Sequence, residues 1–434
     1  MILVDNILKK REKENNPIKV GVIGTGVMGK GIINQITKYS PGVKVVATYN
    51  RTLSKAVDAY NYAGIENYSI VETDSEYKRQ RELDKIIITQ NIDIICKAFD
   101  IDLLIEVTGT ISFATSAVIK AFENGIHVLS FNAEIEATFG PILKYKAKQA
   151  GVMYSVADGD QPGVTLNLYR QVKLMGFNPI LCGNIKGMQD RYRNPTTQKS
   201  FAEKWKMTAE MVTSFADGTK ISIEQACVAN ATGMKVAKRG MLGYESNKHI
   251  DELKSLYDLD KINKIGGIVD YVIGAKPGPG VFIYATIGED DFSKKYLKYV
   301  KMGDGPLYSF YVPYHLLFFE IASSISKMID FKDEILTAKK GLVVDVITKT
   351  KIDLKKGEII DGMGGYKTYG LCENHDIAID ENLVPVGLAE GLKLNKNLKK
   401  DDVITFDDIE TFGNRFIDQL WNEQKKLFDQ ISVV

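Results

Sequence analysis

Lys186, within Cys182-Gly-Asn-Ile-Lys-Gly-Met-Gln-Asp-Arg-Tyr-Arg193, is the side chain best suited to act on a carbonyl oxygen. It follows an apolar run that reads as a strand, and glycines beside it let a ligand come close. An ammonium there can donate a proton or stabilise a developing alkoxide, with Asp190 as the natural partner to hold it. A second group lies downstream: Asp217 or Thr219 can cap a helix on which Lys220 and Glu224, at i and i+4, share one face with Asn230 beyond them. His315, in Pro313-Tyr-His-Leu316, is a further acid-base candidate. Each residue also has a plainer reading, as a solvated lysine, a surface salt bridge, a helix cap, or a histidine packed among Leu316, Leu317, Phe318 and Phe319. Asp158, Asp160 and Glu134 offer oxygens of the kind that suit magnesium or manganese, and Arg191, Arg193 and Lys199 could meet a phosphate or form a solvated charge run.

A proton donor of this kind needs something to reduce its substrate, and Ile18-Lys-Val-Gly-Val-Ile-Gly-Thr-Gly-Val-Met-Gly29 addresses that need. An apolar strand ends in Gly24, Gly26 and Gly29 and a helix follows. One glycine permits the turn, one lets backbone approach a pyrophosphate and one allows close helix packing, so Gly24, Gly26, Val27, Met28 and Gly29 read as the dinucleotide turn. The next strand, Val43 to Tyr49, ends in Asn50-Arg51-Thr52, where an acidic residue would bind a ribose 2′-hydroxyl and repel a 2′-phosphate. The chain offers Asn50 and Arg51 instead, which favours NADP(H) over NAD(H); Arg51 also reads as a solvated turn residue. Thr108, Gly109, Asn132 and Glu134 fall at later strand ends and read as the nicotinamide side of the pocket, or as helix caps.

The elements that would position these groups follow a clear rhythm. From residue 18 to about 157, strands alternate with helical segments, including Phe113 to Asn124 and Pro141 to Gln149, which predicts a Rossmann-type doubly wound parallel sheet over residues 1–157. Residues 158–333 read as an α+β substrate domain: a helix at Val164 to Met175, an alanine-rich helix from Ser214 to Asn230 and strands near Gly266 to Ile273 and Gly278 to Ala285. Residues 334–434 read as a small all-β module, with short runs at Val343–Ile347, Gly357–Ile360, Gly364–Gly370 and Pro385–Leu388, and a closing helix bearing Phe412, Phe416, Ile417, Leu420, Leu427, Phe428 and Ile431. That apolar face should pack on the body or on a second subunit, so a homo-oligomer is expected.

Composition narrows the partners. Across 434 residues, Lys+Arg (56) and Asp+Glu (55) almost cancel, leaving a formal charge of +1, so neither nucleic acid nor a membrane surface is an expected partner and a small-molecule substrate is. Cys96, Cys182, Cys227 and Cys372 are well separated, as in a reducing compartment. Residues 1–17 lack the apolar core of a signal peptide, and no stretch approaches the ~20 apolar residues of a membrane span. The cytoplasm is therefore expected.

Gly24-x-Gly26-x-x-Gly29, the Glu106-Val-Thr-Gly109 strand end and the domain order together resemble the homoserine dehydrogenase superfamily over roughly residues 17–330. Asp217-Gly-Thr-Lys220, Pro313-Tyr-His-Leu316, Lys276-Pro-Gly-Pro-Gly-Val-Phe282, Gly364-Gly-Tyr and Pro385-Val-Gly-Leu-Ala-Glu-Gly391 are similar to oxidoreductases with a C-terminal SAF (antifreeze-like) domain, a family that includes enzymes like 1-deoxy-D-xylulose 5-phosphate reductoisomerase. The resemblance implies an NADP-dependent oxidoreductase of a small polyhydroxylated carbonyl compound, phosphorylated or not, with a role in isoprenoid biosynthesis if it is reductoisomerase-like. Homoserine or hydroxy-acid dehydrogenase, and a non-catalytic nucleotide-sensing scaffold, are the alternatives.

Overall fold

The computed structural model describes residues 2–410 and 412–428, which pack as two compact units: residues 2–163 with 316–337, and residues 164–315 with the described residues from 338 onward. The packing units thus follow neither the 157/158 nor the 333/334 division alone, because residues 316–337 return to the first unit.

The first unit is built on a seven-stranded sheet in the order Tyr68–Ile70, Ile86–Thr89, Val43–Tyr49, Ile18–Ile23, Leu103–Glu106, His127–Ser130, Tyr154–Val156, every pair parallel. Its inner strands are apolar on both faces because helices cover both, as in a doubly wound fold. The chain moves outward on one side of Ile18–Ile23 and then on the other, so the order reverses between that strand and Leu103–Glu106. Ligands of such sheets bind beyond the carboxyl ends of the strands at that switch.

The late segment of this unit was not legible in advance. Helix Ile321–Phe331 packs Ile321, Ile325 and Met328 into the core formed by Val20, Val22, Ile32 and Ile36. Leu336 bridges antiparallel to Val156, and Arg11 is ion-paired to Asp330 at 2.7 Å. Helix Ala133–Gln149 starts eight residues before the expected Pro141, because the Asn132 side chain accepts from the Ile135 N–H and caps it.

The second unit holds a mixed five-stranded sheet ordered Tyr308–Val312, Gly280–Thr286, Asn178–Lys186, Ile268–Ile273, Tyr244–Glu245. Asn178–Lys186 runs antiparallel to Gly280–Thr286 and parallel to Ile268–Ile273. Helix Thr219–Thr232 packs against both Asn178–Lys186 and Ile268–Ile273, and also against the two-stranded ribbon of Val344–Thr350 and Thr368–Asn374. With neighbours all round, it is buried from Thr219 to Asn230 except at Lys220.

Three expectations change here. The single helix from Ser214 is two, Ala209–Asp217 and Thr219–Thr232, joined at Gly218, whose φ of +91° breaks the first. Pro385-Val-Gly-Leu388 is not a strand: Pro385 precedes the helical turn Val386–Ala389, since its fixed φ of −61° starts a turn of helix as readily as it sits at a strand edge. The C-terminal segment therefore mixes an antiparallel ribbon and isolated bridges with short helices, including His375–Asp380. The final helix, Phe416–Phe428, buries Ile417, Leu420 and Trp421 within the described chain itself, and Ile431 lies outside the described residues.

Candidate functional site

The glycine turn sits at the switch point. Gly24 has φ +104° and donates its N–H to the Tyr49 carbonyl at 2.9 Å. At Gly29 a Cβ would lie 2.0 Å from the Gly24 carbonyl oxygen, so close packing dictates that glycine. Gly26 differs from both. Its φ of −65° suits any residue, and a Cβ there would meet nothing within 4 Å. No demand of the chain's own packing explains it. It begins helix Val27–Tyr39, which has no side-chain cap and no acidic residue in its first turn. Uncapped N–H groups, the positive end of the helix dipole and an open glycine form a cradle for a phosphate. Thr25 beside it is 5% exposed, and its hydroxyl has no hydrogen-bond partner among the described residues. Val27 and Met28 form the first turn of the helix, exposed and half-buried respectively.

Asn50 plays a different part from the one expected. Its Oδ1 accepts the Thr25 N–H at 3.1 Å and its Nδ2 donates to the Thr52 carbonyl at 2.8 Å, so the amide braces the glycine turn instead of reaching outward. Arg51 is exposed, and its carbonyl accepts from Gln90 at 2.6 Å.

At the neighbouring strand ends, the Thr108 side chain lies against Gly24. Thr108 and Gly109 lead into the 108–110 loop, while Asn132 caps its helix and also donates to the Thr110 carbonyl at 3.0 Å. Glu134 follows in the first turn of that helix, half-buried. The group that sequence reading passed over is Glu106. It is fully buried, and its Oε1 accepts both the N–H and the hydroxyl of Thr108, at 2.7 and 2.5 Å. A single carboxylate closing an otherwise apolar strand was the signal available.

The second unit gathers Lys186, Glu224 and Asp217. Lys186 ends its strand and donates to the Phe215 carbonyl at 2.8 Å. Burial pulls its pKa below the usual lysine range, against the opposing field of the Glu224 and Asp217 carboxylates. Asn184, two residues earlier on the same strand face, donates to Glu224 at 3.3 Å. Asp217 is wholly buried, accepts the Thr219 N–H at 2.8 Å and pairs with Lys351 at 2.7 Å. Lys220 is half-buried on the same helix as Glu224.

Two expected members belong elsewhere. Asp190 does not hold Lys186: it takes the Arg193 guanidinium at 3.1 Å and the Tyr192 N–H at 3.1 Å, a local turn closed by a short-range ion pair. Asn230 is a clamp, its Oδ1 accepting the N–H groups of Val343 and Val344 at 2.7 and 2.9 Å and its Nδ2 donating to the Val344 carbonyl at 3.2 Å. Asn230→Ala should leave those three backbone groups without their side-chain partner and cost about 1–3 kcal/mol in urea unfolding, with substrate KM unchanged. His315 stays a candidate by register. Val312, Val281 and Asn184 align in one row, so the chain leaves the sheet toward His315 at the same end as Lys186.

The oxygen donors do not assemble. Asp158 accepts the Lys327 ammonium at 2.6 Å and the Ser323 hydroxyl at 2.9 Å, and Asp160 accepts the Gln161 N–H at 2.9 Å. No group of three or more His, Cys, Asp or Glu poised to hold a metal occurs among the described residues. No described helix is long and apolar enough to cross a membrane.

Residues 24–157 match the NAD-binding domain of homoserine dehydrogenase, and residues 159–321 match the catalytic domain of the oxidoreductase DRL. A homoserine dehydrogenase of Bacillus subtilis (strain 168) is 25% identical over 134 residues, 31% of this chain and 28% of that protein, so the likeness spans little more than a quarter of that relative. Among solved structures, scyllo-inositol dehydrogenase from Lactobacillus casei with bound NAD(H) and scyllo-inositol aligns with a TM-score of 0.43 and 14% identity, over 75% of this chain and 93% of that one. The 1-deoxy-D-xylulose 5-phosphate reductoisomerase from Zymomonas mobilis in complex with NADPH aligns with a TM-score of 0.34 and 15% identity, over 48% of this chain and 56% of that one. The SAF-like reading of the C-terminal segment finds no counterpart in these matches.

Proposed function

We propose that this chain, in which a homoserine dehydrogenase-type NAD-binding domain is followed by a DRL-type oxidoreductase catalytic domain, is an NADP-linked oxidoreductase of a small polyhydroxylated carbonyl compound. The observation that carries the reading is Lys186, a half-buried strand-end ammonium, held by the Phe215 carbonyl, whose pKa desolvation lowers against the field of the Glu224 and Asp217 carboxylates. A nicotinamide cofactor supplies the hydride when bound. The Gly24, Gly26 and Gly29 turn and the uncapped first turn of the helix would hold its pyrophosphate, and Arg51 would meet a 2′-phosphate.

The remaining chemistry belongs to the protein. Lys186 delivers a proton to the carbonyl oxygen as alkoxide charge develops there, and its lowered pKa brings that proton nearer to release at neutral pH. Glu224, held by Asn184, keeps a negative charge beside the ammonium and favours its reprotonation. His315 and Lys220 are proposed to meet substrate hydroxyl or phosphate groups. The reductoisomerase-like substrate class belongs to this same proposal.

The test is a screen of sugar phosphates, inositols, homoserine and other hydroxy acids with NADPH and NADH, followed by Lys186→Met. The substitution should lower kcat by roughly 10²–10⁴-fold while leaving cofactor binding intact. Unchanged turnover in Lys186→Met would overturn the assignment of the proton donor, and turnover of homoserine alone would replace the substrate class. Arg51→Ala should erase any preference for NADPH over NADH; a retained preference removes Arg51 from the argument.

A further inference from the structure

Glu106 is the hub of a polar network at the carboxyl ends of two adjacent strands. Besides its two bonds from Thr108, its Oε2 lies 3.5 Å from the Ser130 hydroxyl, which in turn accepts the Asn132 N–H at 3.0 Å. Thr108 Oγ1 is 3.0 Å from the Thr110 hydroxyl, and Asn132 reaches back to the Thr110 carbonyl. The loop after Leu103–Glu106 and the loop after His127–Ser130 are thus tied through one carboxylate, and Thr108 abuts the glycine turn.

We propose that Glu106 is a positioning residue for the cofactor, its carboxylate holding these two strand-end loops in the one arrangement that accepts the nicotinamide half. The inference rests on the cofactor reading given above. Burial pushes the Glu106 carboxyl up to about 7, against its hydrogen bonds from Thr108 and Asn132 and with the Glu134 carboxylate adding to the rise. Glu134, on the first turn of the following helix, is the charged group that faces it; Thr108, Ser130 and Asn132 face it as neutral donors.

The sign follows from donor counting. Above the pKa the carboxylate accepts from Thr108 and Ser130; below it, the acid brings its own O–H into a site lined with donors, and one of those bonds is lost. Cofactor affinity should therefore weaken as pH falls through about 7. The folded state keeps a proton that the unfolded chain releases near 4.5, so the group contributes stability below about 4.5 that is lost as pH rises to about 7.

The experiment is a titration of NADPH and of NADH into the full chain at about pH 6 and about pH 8, comparing variants with the same ligand because a 2′-phosphate itself titrates near about 6. Wild type should bind roughly five-fold or more tightly at the higher pH, and Glu106→Gln, which stays neutral, should bind at the low-pH level at both. Thr108→Ala, which removes the held hydroxyl, should lose affinity at the higher pH only. Equal pH dependence in wild type and Glu106→Gln, or an equal loss at both pH values in Thr108→Ala, overturns this inference alone. Absence of binding by wild type at any pH overturns the cofactor reading, and this inference with it.

Discussion

Lys351→Met should destabilise the protein by about 3–5 kcal/mol, the effect of stripping one partner from a buried ion pair. The Lys351 ammonium is ion-paired to Asp217 at 2.7 Å and donates to the Arg193 and Gly365 carbonyls at 2.8 Å each. Both side chains are almost out of reach of water, at 2% and 0% exposed. Without the cation, Asp217 retains the Thr219 N–H and the more distant field of Lys186. Urea unfolding followed by circular dichroism measures the loss. Asp217→Asn in the same chain should return part of it, because the stranded charge is then gone. A loss under about 1 kcal/mol would mean that the pair is hydrated in solution. The same lock secures the joint between Ala209–Asp217 and Thr219–Thr232, and so the position of Glu224 two turns along.

Gly26→Asp should abolish cofactor binding while making the protein more stable. The backbone at Gly26 already has the extended geometry of a helix N-cap, and the helix it opens has no side-chain cap. An aspartate there would accept first-turn N–H groups and sit favourably on the helix dipole, adding about 0.5–1 kcal/mol. The same carboxylate would fill the space where a Cβ now meets nothing and set a negative charge against a pyrophosphate. At about 4 Å that repulsion is on the order of 4 kcal/mol, roughly a thousandfold in affinity. NADPH titration and thermal melting read the two effects separately. Gly29→Ala is the contrasting variant: its methyl collides with the Gly24 carbonyl, so both readouts should fall. Intact NADPH binding by Gly26→Asp would place the cofactor elsewhere.

The candidate site was legible where its logic is local. The strand, the glycine turn and the first residues of the helix after it lie within the twelve residues from Ile18 to Gly29, so their pattern is visible locally. The placement of Lys186 and Glu224 was legible for the same reason, one at the end of an apolar run and the other on a helical face, and their roles remain proposals. The errors concern residues whose local pattern is ambiguous. Asp190, Asn50 and Asn230 are polar residues beside glycines and strand ends, where a side chain serves a turn, a brace or a ligand equally well. Only the partner decides, and for Asn230 that partner is backbone more than a hundred residues away. Glu106 was missed because a buried acid in a strand looks like part of a motif until its donors are seen.

The sequence by itself determined the alternating strand–helix rhythm of the first unit, the dinucleotide turn and the strand bearing Lys186, because hydrophobic period, glycine geometry and helix capping act over a few neighbouring residues. Tertiary structure alone decided that residues 316–337 close the first sheet, that Lys351 completes Asp217 and that Glu106 joins two strand-end loops. Those outcomes depend on which buried polar groups find partners once the chain is folded, and the residues on either side of such a group carry no record of that choice.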